Sequence, residues 1–372
     1  MSVITATGKT ITQVAEATAD DVNRAVVSAR KALDTVWGLK CPGAERGRLL
    51  SRLADLIETH QNELAAIEAL NSGTPFMSAK FLDMSVAVAS LRYNAGWASK
   101  VQGKVIETTE NKLVYTRREP MGVCGQISPW NFPLMMVLMK VGPALAAGNT
   151  VVIKPSEVNP LTTLRFCSLV KEAGIPNGVI NVVVGYGHTV GCAITEHMDI
   201  DKVAFTGSTA AGKKIMESAA RSNLKKITLE LGGKNPAIIF DDADLDKAVK
   251  WASHGSFFNA GQVCVATSRL FVHTSIYDEF LARFTAVARA IKLGDPFDLA
   301  TTQGPQASQA HFARIMAHIE SGIAEGATLH LGGHRHSAHG LWIEPTIFTD
   351  VRPDMRVARE ESFWPRCRTD AV

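Results

Sequence analysis

The chain has 372 residues, of which 46% are hydrophobic and 20% charged, so it is long enough for two domains and is not a disordered sequence. Its 39 basic and 36 acidic residues leave a net charge of +3, which is too small to indicate nucleic acid or an anionic membrane as partner. The most apolar run, 132–148, is interrupted by Pro133, Lys140 and Pro143 and is too short to cross a bilayer. The N-terminus lacks a signal-peptide pattern, and six scattered cysteines form no C-x-x-C pair. We therefore expect a cytoplasmic protein with free thiols.

The N-terminal part of the chain is predicted to be helical, with helices at about 18–36, 45–70 and 77–100. Thr18 can cap the first of them through its hydroxyl oxygen, and the acidic residues that follow it suit the positive end of the helix dipole. A β-rich stretch at 105–117 surrounds a polar turn, which predicts a hairpin.

From residue 122 onward, short apolar runs alternate with helical patterns. Strands are predicted at 122–127, 150–153, 179–184, 202–205 and 226–229, and helices at 133–147, 160–173, 188–197 and 210–220. Short strands of this kind, separated by helices, predict an α/β fold with a doubly wound parallel sheet. Such sheets bind ligands at the carboxyl ends of their strands.

Polar or small residues follow each predicted strand. Gly207 and Ser208 open a helix, where backbone N–H groups can hold a pyrophosphate. Glu157 can accept hydrogen bonds from a ribose diol and Lys154 can donate beside it, although a solvated loop pair is the alternative. Gly187 belongs to a weaker pattern, because the full G-x-G-x-x-G fingerprint is absent and ordinary turn chemistry explains its glycines.

Cys264 lies in a small glycine-containing loop between a helical run and the apolar run 270–272. A loop held between rigid elements can present a reactive side chain to a substrate. The alternative is a packed thiol, because most free cysteines behave as small hydrophobic residues.

Several motifs make the chain resemble the NAD(P)-dependent aldehyde dehydrogenases over nearly its whole length. They are Glu-Pro-Met-Gly-Val at 119–123, Pro-Trp-Asn-Phe-Pro at 129–133, Lys-Pro-Ser-Glu at 154–157, Phe-Thr-Gly-Ser at 205–208, Glu-Leu-Gly-Gly-Lys-Asn-Pro at 230–236 and Gly-Gln-Val-Cys at 261–264. The resemblance implies a Rossmann-like cofactor domain and an α/β catalytic domain. It assigns 1–101 and 121–231 to NAD binding, 102–120 to an oligomerisation-type hairpin and 232–372 to an incomplete catalytic domain.

The resemblance also implies the catalytic residues. Cys264 would be the nucleophile, and its backbone N–H with the side-chain amide of Asn131 would hold the oxyanion. Glu230 would be the base that activates water, and Lys140 would take part in a proton relay. The alternatives are a turn residue for Asn131, a surface carboxylate for Glu230 and a solvated helix face for Lys140.

The cofactor implied by the resemblance is NAD, with NADP less favoured because the Glu157 carboxylate would repel a 2′-phosphate. The positions assigned to the cofactor are Ile127, Pro129, Trp130, Lys154, Ser156, Glu157, Gly187, Phe205, Thr206, Gly207, Ser208, Leu231, Gly232, Glu361 and Phe363.

The substrate expectation rests on one helix face carrying Phe132, Met135, Met136 and Met139. We interpret this face as the wall of an apolar tunnel for a medium-sized aliphatic or aromatic aldehyde, with a core stripe as the alternative. The histidines at 330, 334, 336 and 339 match no tight zinc spacing, so we predict no metal site.

The C-terminal end departs from the family. Ser362 and Trp364 differ from its pattern, and the tail after Pro365 resembles nothing in it. We therefore expect a truncated chain with a shortened second sheet, unpaired strand edges and an uncovered apolar face. The family is homo-oligomeric, and this expectation is weaker here because its C-terminal pairing strand would be missing.

Three functional hypotheses follow. The first is an NAD-dependent aldehyde-oxidising enzyme. The second is an inactive fragment that retains at most nucleotide binding. The third is a relative that transfers the acyl group to coenzyme A, and Glu230, as a water-activating base, favours hydrolysis over this transfer.

Overall fold

The computed structural model describes residues 2–4, 8–337, 339–361 and 366–371, with backbone alone for the first and last of these ranges. Two compact units divide the chain. The first comprises Met1–Val3, Thr12–Ile67 and Ser78–Glu230, and the second comprises Ile4–Ile11, Glu68–Met77 and Leu231–Val372.

The strands, in chain order, are β1 (Ser2–Ile4), β2 (Thr10–Gln13), β3 (Val105–Ile106), β4 (Val114–Tyr115), β5 (Val123–Ile127), β6 (Thr150–Lys154), β7 (Ile180–Val182), β8 (Lys202–Gly207), β9 (Lys226–Leu231), β10 (Asn235–Ile239), β11 (Thr267–Val272), β12 (Thr328–Leu331), β13 (Thr346–Thr349) and β14 (Arg366–Ala371). The α-helices are α1 (Ala19–Thr35), α2 (Gly43–Thr59), α3 (Gln61–Ser72), α4 (Phe76–Ser78), α5 (Ser85–Trp97), α6 (Pro133–Ala146), α7 (Leu161–Glu172), α8 (Cys192–Glu196), α9 (Thr209–Arg221), α10 (Leu245–Phe257), α11 (Tyr277–Ala290), α12 (Gln309–Ala324) and α13 (Arg356–Arg359). Two π-helical segments, Ala79–Met84 and Gly187–Gly191, and two 3₁₀ segments, Phe258–Gly261 and Thr274–Ile276, complete the assignment.

The long helix predicted at 45–70 is wrong, because the chain forms two helices, α2 and α3, that meet at His60. Apolar residues continue on both sides of His60, so their spacing gives no sign of this break. The cap predicted at Thr18 is confirmed as a full capping box, in which the Thr18 hydroxyl and the Asp21 carboxylate each accept the other residue's backbone N–H.

The first unit contains a sheet of five strands in the order β7–β6–β5–β8–β9. The pairings of β5 with β6 and β8, and of β6 with β7, are parallel. Every residue of β5 and β6 is buried, as expected for central strands with helices on both faces. The predicted α/β fold with a parallel sheet is therefore confirmed.

The predicted hairpin is present as β3 and β4, an antiparallel pair in which Val105 faces Tyr115 and Ile106 faces Val114. All four residues are exposed. The hairpin thus presents apolar side chains to solvent in this single chain.

The second unit contains a five-stranded sheet in the order β10–β11–β14–β13–β12. Strand β14 lies in its centre and pairs in parallel with β11 and β13, whereas β12 is antiparallel to β13. Over the described residues, the tail that resembles nothing in the family therefore forms the central strand of this sheet, and β10 and β12 form its two edges. Strands pair through backbone amides and carbonyls, so a segment unlike the family sequence can still occupy a central position.

Apolar residues pack on both faces of this second sheet at β13, whereas Ile238 on the edge strand β10 is 62% exposed, so part of the sheet's apolar surface is uncovered as expected. Ile347 of β13 packs in a cluster with Phe257, Phe280 and Phe284 from α10 and α11. The next residue, Phe348, packs in a different cluster with residues of α12. Successive residues of one strand point to opposite faces, so the two clusters lie on opposite sides of the sheet.

Candidate active site

Three strands of the first sheet end at the same edge, and they carry many of the predicted cofactor residues. Ile127, the last residue of β5, is in register with Lys154 at the end of β6 and with Phe205 near the end of β8. The strands are parallel, so the segments that follow them emerge side by side. This is the edge at which open α/β sheets bind their ligands.

A buried lysine is paired with a carboxylate at this edge. The Lys154 side chain is 3% exposed, and its Nζ lies 2.8 Å from Oε2 of Glu157. Nζ also donates to the carbonyl of Pro155 at 3.2 Å. The Glu157 side chain is 33% exposed, so its carboxylate can still contact a ligand that binds from solution.

The turn after β8 combines a helix N-terminus with a glycine that has no room for a side chain. A Cβ on Gly207 would lie 2.5 Å from the ring of Phe205. Ser208 caps α9, because its hydroxyl accepts the backbone N–H of Ala211 at 3.3 Å. Backbone can therefore approach a ligand closely here, and the capping hydroxyl keeps its own hydrogen to donate.

The loop around Gly187 carries an aromatic pair that the motifs alone do not reveal. The rings of Tyr186 and His188 stack with centroids 5.5 Å apart, on either side of Gly187. A Cβ added at Gly187 would meet nothing within 4 Å, so this turn opens into free space. In the sequence, this pair is indicated by an aromatic residue on each side of Gly187.

The motif at 129–133 leads from β5 into helix α6, which starts at Pro133. Asn131 is 4% exposed, and the carbonyl of Trp130 accepts a hydrogen bond from Asn159 at 2.6 Å. Proline suits the first helical position occupied by Pro133, because a backbone N–H at that position would have no partner within the helix.

Lys140 and Thr206, both predicted site residues, are in contact. Nζ of Lys140 donates to the hydroxyl of Thr206, which joins helix α6 to the end of β8. The Gln126 amide donates to the carbonyl of Lys140 at 2.9 Å. Lys140 is therefore tied to the strand-end edge and is not simply a solvated lysine on a helix face.

The methionines of helix α6 lie away from its core-facing side. Leu134, Leu138 and Val141 are fully buried, whereas Met139 is 47% exposed and Met135 and Met136 are half-buried. The core-stripe alternative therefore does not hold for the methionines, whereas Phe132, the first residue of the predicted face, is 4% exposed and belongs to the core.

In the second unit, a turn with left-handed backbone precedes Cys264. Asn259, Ala260 and Gly261 have φ angles of 49°, 53° and 68°. Side chains other than glycine adopt this region at a cost of about 1 kcal/mol each, so the turn is held by its surroundings. Gln262 is 4% exposed and provides part of that support, because its Oε1 accepts the backbone N–H of Ala307 at 3.1 Å.

Cys264 itself is half-buried and has a free thiol. Asn235, at the start of β10, donates from Nδ2 to the carbonyls of Cys264 (2.9 Å) and Ala266 (3.1 Å). The sequence motif contains Asn235, but it gave no sign of this role because the contact joins positions far apart in the chain.

Glu361 lies against the glycines of the same motif. The backbone N–H of Gly233 donates to its Oε1 at 3.2 Å, and a Cβ on Gly232 would lie 1.7 Å from its Oε2. Burial raises the pKa of this carboxyl, and the Gly233 hydrogen bond and the charges of Lys234 and Arg314 partly oppose that rise. The prediction for Phe363 falls outside the described residues.

The other predicted positions are found as follows. Leu231 ends β9, one residue after Glu230, which is exposed. Ser156 is 7% exposed, and its hydroxyl accepts the backbone N–H of Val158 at 3.2 Å. Pro129 lies two residues beyond β5.

No cluster of three or more histidine, cysteine, aspartate or glutamate side chains suited to a metal ion occurs among the described residues. Within the same residues, no helix is both long and apolar enough to cross a membrane.

Comparison with known proteins places this geometry in one family. The family model for the aldehyde dehydrogenase family matches residues 2–366. An aldehyde dehydrogenase from Agaricus bisporus is 57% identical over 360 residues, which cover 97% of this chain and 72% of that protein. Retinal dehydrogenase 2 from Rattus norvegicus is 52% identical, with 97% of this chain and 70% of that protein covered.

A solved structure agrees with this result. The NAD⁺ complex of an aldehyde dehydrogenase from Bacillus cereus superposes with a TM-score of 0.98 at 45% identity, covering 100% of this chain and 76% of that one. The chain belongs to the aldehyde dehydrogenase family, whose reaction is the NAD(P)-dependent oxidation of aldehydes.

Proposed function

We propose that this chain oxidises an aldehyde to a carboxylic acid with NAD, through a thiohemiacetal and then a thioester on Cys264. The observation that carries the proposal is the half-buried thiol in a loop whose backbone is fixed from both sides, by Gln262 and by Asn235. A nucleophile held in one orientation reacts faster than a mobile one.

The first step is attack of the Cys264 thiolate on the aldehyde carbon, which forms a C–S bond and places negative charge on the former carbonyl oxygen. The backbone N–H of Cys264 and the amide of Asn131 are the donors proposed for that oxygen. Asn131 suits the role, because it is buried and therefore shielded from competing water.

The second half of the reaction releases the acid. Glu230 would take a proton from water as the water attacks the thioester, and the thiolate leaves as the C–S bond breaks. Lys140, whose Nζ donates to the Thr206 hydroxyl, is proposed to take part in a proton relay at the carboxyl-end edge of the first sheet.

The residues at the edge of the first sheet fit a dinucleotide. Lys154 and Glu157 would bind the adenosine ribose, and Gly207 and Ser208 would bind the pyrophosphate, because the glycine leaves room and α9 presents its N-terminus. Ile127, Pro129, Trp130, Ser156, Gly187, Phe205, Thr206, Leu231, Gly232, Glu361 and Phe363 complete the proposed set. When bound, NAD accepts the hydride that leaves the substrate carbon.

NAD is proposed in preference to NADP, because the partly exposed carboxylate of Glu157 disfavours a 2′-phosphate. The proposed substrate is a medium-sized aliphatic or aromatic aldehyde, which the half-exposed methionines of α6 would contact. A homo-oligomer and a cytoplasmic location complete the proposal. The exposed apolar hairpin supports the former, and the free thiols of the described cysteines suit a reducing compartment.

The test is NADH formation by the purified chain with a panel of aldehydes, using Cys264→Ala and Cys192→Ala as matched variants. We expect turnover in the wild type and in Cys192→Ala and none in Cys264→Ala. Absence of turnover in all three proteins, with NAD binding retained, would instead identify a fragment that only binds nucleotide. Formation of acyl-coenzyme A in place of the free acid would identify the acyl-transferring alternative.

A further inference from the structure

The side-chain amide of Asn235 directs both of its hydrogens to the turn that contains Cys264. Nδ2 lies 2.9 Å from the carbonyl oxygen of Cys264 and 3.1 Å from that of Ala266. The residue between them, Val265, is 73% exposed, so the turn projects outward while its two flanking carbonyls are fixed.

The regular sheet cannot supply these hydrogen bonds. The register of β10 and β11 shifts here, because Asn235 pairs with Thr267 whereas Pro236 pairs with Arg269. Ser268 is therefore the extra residue of a β-bulge, and Pro236 has no N–H to donate. The Asn235 side chain provides donors at a point where the backbone ladder is interrupted.

A second side chain reinforces the same junction from the opposite strand. Nη2 of Arg269 donates to the carbonyl of Lys234 at 2.6 Å. Upstream of the thiol, the side-chain amide oxygen of Gln262, Oε1, accepts the Ala307 N–H at 3.1 Å. The backbone around Cys264 is thus held on both sides. The Gln262 side chain holds it before the thiol, and Asn235 holds the carbonyls of Cys264 itself and of Ala266.

We propose that Asn235 is a positioning residue that holds the backbone of Cys264, and therefore its thiol and N–H, in the orientation needed for attack on the aldehyde. This inference rests on the proposed function of Cys264 as nucleophile. Asn235 acts through the backbone of the turn and is not itself assigned a contact with substrate. A displacement of about 1 Å at a reacting group can cost roughly a hundredfold in rate.

The test compares Asn235→Ala with a matched variant, Asn223→Ala. The Asn223 amide also donates to two backbone carbonyls, those of Met198 (2.8 Å) and Ile200 (3.0 Å), but within the first unit. Both variants lose a double hydrogen bond to backbone carbonyls, and Asn223→Ala also loses the bond that Oδ1 of Asn223 accepts from the Lys225 N–H at 3.2 Å, so the control is the more severe loss. Only Asn235→Ala alters the thiol turn. Asn235→Ser, which keeps one hydroxyl donor, is the conservative variant and replaces Asn235→Ala if the latter does not fold.

Four quantities are measured: kcat, the Kd for NAD, hydrogen exchange of the peptide containing 263–267, and iodoacetamide alkylation of Cys264 relative to Cys192 in the same molecule. For Asn235→Ala we expect kcat to fall roughly ten- to a hundredfold with an unchanged Kd for NAD. Exchange and Cys264 alkylation should both become faster, because a looser turn exposes a half-buried thiol. Asn235→Ser should lie between the wild type and Asn235→Ala, and Asn223→Ala should match the wild type in all four.

The proposal is overturned if Asn235→Ala leaves exchange and Cys264 alkylation unchanged. It is also overturned if Asn223→Ala produces the same changes, because the effect would then be general destabilisation. If the wild type has no turnover, the proposed function fails, but exchange and alkylation still decide whether Asn235 orders the thiol turn.

Discussion

Nζ of Lys154, on a side chain that is only 3% exposed, lies 2.8 Å from the carboxylate of Glu157 at the end of β6. Removing an ammonium group from water is costly, and an adjacent carboxylate offsets that cost. The lysine therefore depends on the glutamate for its charge balance. The glutamate remains partly exposed and faces solvent at the edge where a dinucleotide is proposed to bind.

Replacement of Glu157 tests this pair and the cofactor preference together. Glu157→Gln should lower the free energy of unfolding by about 1–3 kcal/mol, because the buried Lys154 ammonium loses its counter-charge. The effect is smaller than for a fully buried pair, because solvent already screens the partly exposed carboxylate. The ratio of kcat/KM for NAD to that for NADP should fall by roughly tenfold, as repulsion of a 2′-phosphate is relieved.

Glu217→Gln, on an exposed position of α9, is the control for loss of a negative charge from the same unit. It should leave both the stability and the cofactor ratio unchanged. An unaltered cofactor ratio in Glu157→Gln would show that Glu157 does not determine the preference.

Gly122 is predicted to be intolerant of any side chain. Its φ is 129°, and a Cβ would lie 1.9 Å from Oδ2 of Asp201. That oxygen accepts the Val123 N–H at 2.7 Å and a hydrogen bond from Arg30 at 2.6 Å, so it cannot move without breaking both. Gly122→Ala should therefore destabilise the protein by about 2–4 kcal/mol.

The control for Gly122→Ala is Gly96→Ala, because a Cβ on Gly96 in helix α5 would meet nothing within 4 Å. Alanine is the better helix former, so this variant should be more stable than the wild type by up to about 1 kcal/mol. Denaturant unfolding of both variants measures the contrast. Equal stability of the two would contradict the assigned role of Asp201.

Sequence patterns located the edge of the first sheet because its signals are local. Buried strands are apolar runs, and the residues at or just beyond their carboxyl ends, such as Lys154, Glu157 and Gly207, are polar or small because parallel topology gathers these ends at the ligand-binding edge. The contact between Lys140 and Thr206 could not be predicted, because it joins a helix to a strand 66 residues away.

The second unit was harder to predict for a related reason. The Asn235 contacts span about thirty residues and depend on a β-bulge, which no periodicity reveals. Strand β14 was missed because backbone pairing places few demands on side-chain identity, so a tail unlike the family gave no recognisable strand pattern.

Leu224 has a left-handed backbone that a glycine would adopt at lower cost. Its φ is 56°, its side chain is 80% exposed, and its N–H donates to the carbonyl of Ala219 at 3.0 Å just beyond helix α9. Leu224→Gly should raise the free energy of unfolding by about 1 kcal/mol, because glycine enters this region without a steric penalty. Leu224→Ala removes the same exposed surface but keeps Cβ, so it should give no comparable gain in thermal unfolding.

The cysteines should differ in their reactivity and in how it depends on pH. Burial raises the pKa of Cys124 and of Cys167 to about 11, from an ordinary value of 9.0. A raised pKa means less thiolate, so at pH values below 9 each should hold about a hundredfold less thiolate than an unperturbed thiol.

Alkylation by iodoacetamide, mapped by peptide mass spectrometry, should be fast at the exposed Cys192 and very slow at Cys124 and Cys167. Between pH 8 and pH 10 the rates at Cys124 and Cys167 should rise by roughly tenfold per pH unit, because the thiolate fraction rises tenfold per unit below the pKa. Denaturant serves as the control, because unfolding should bring all these rates together, and fast labelling of Cys124 in the native protein would contradict its burial in β5.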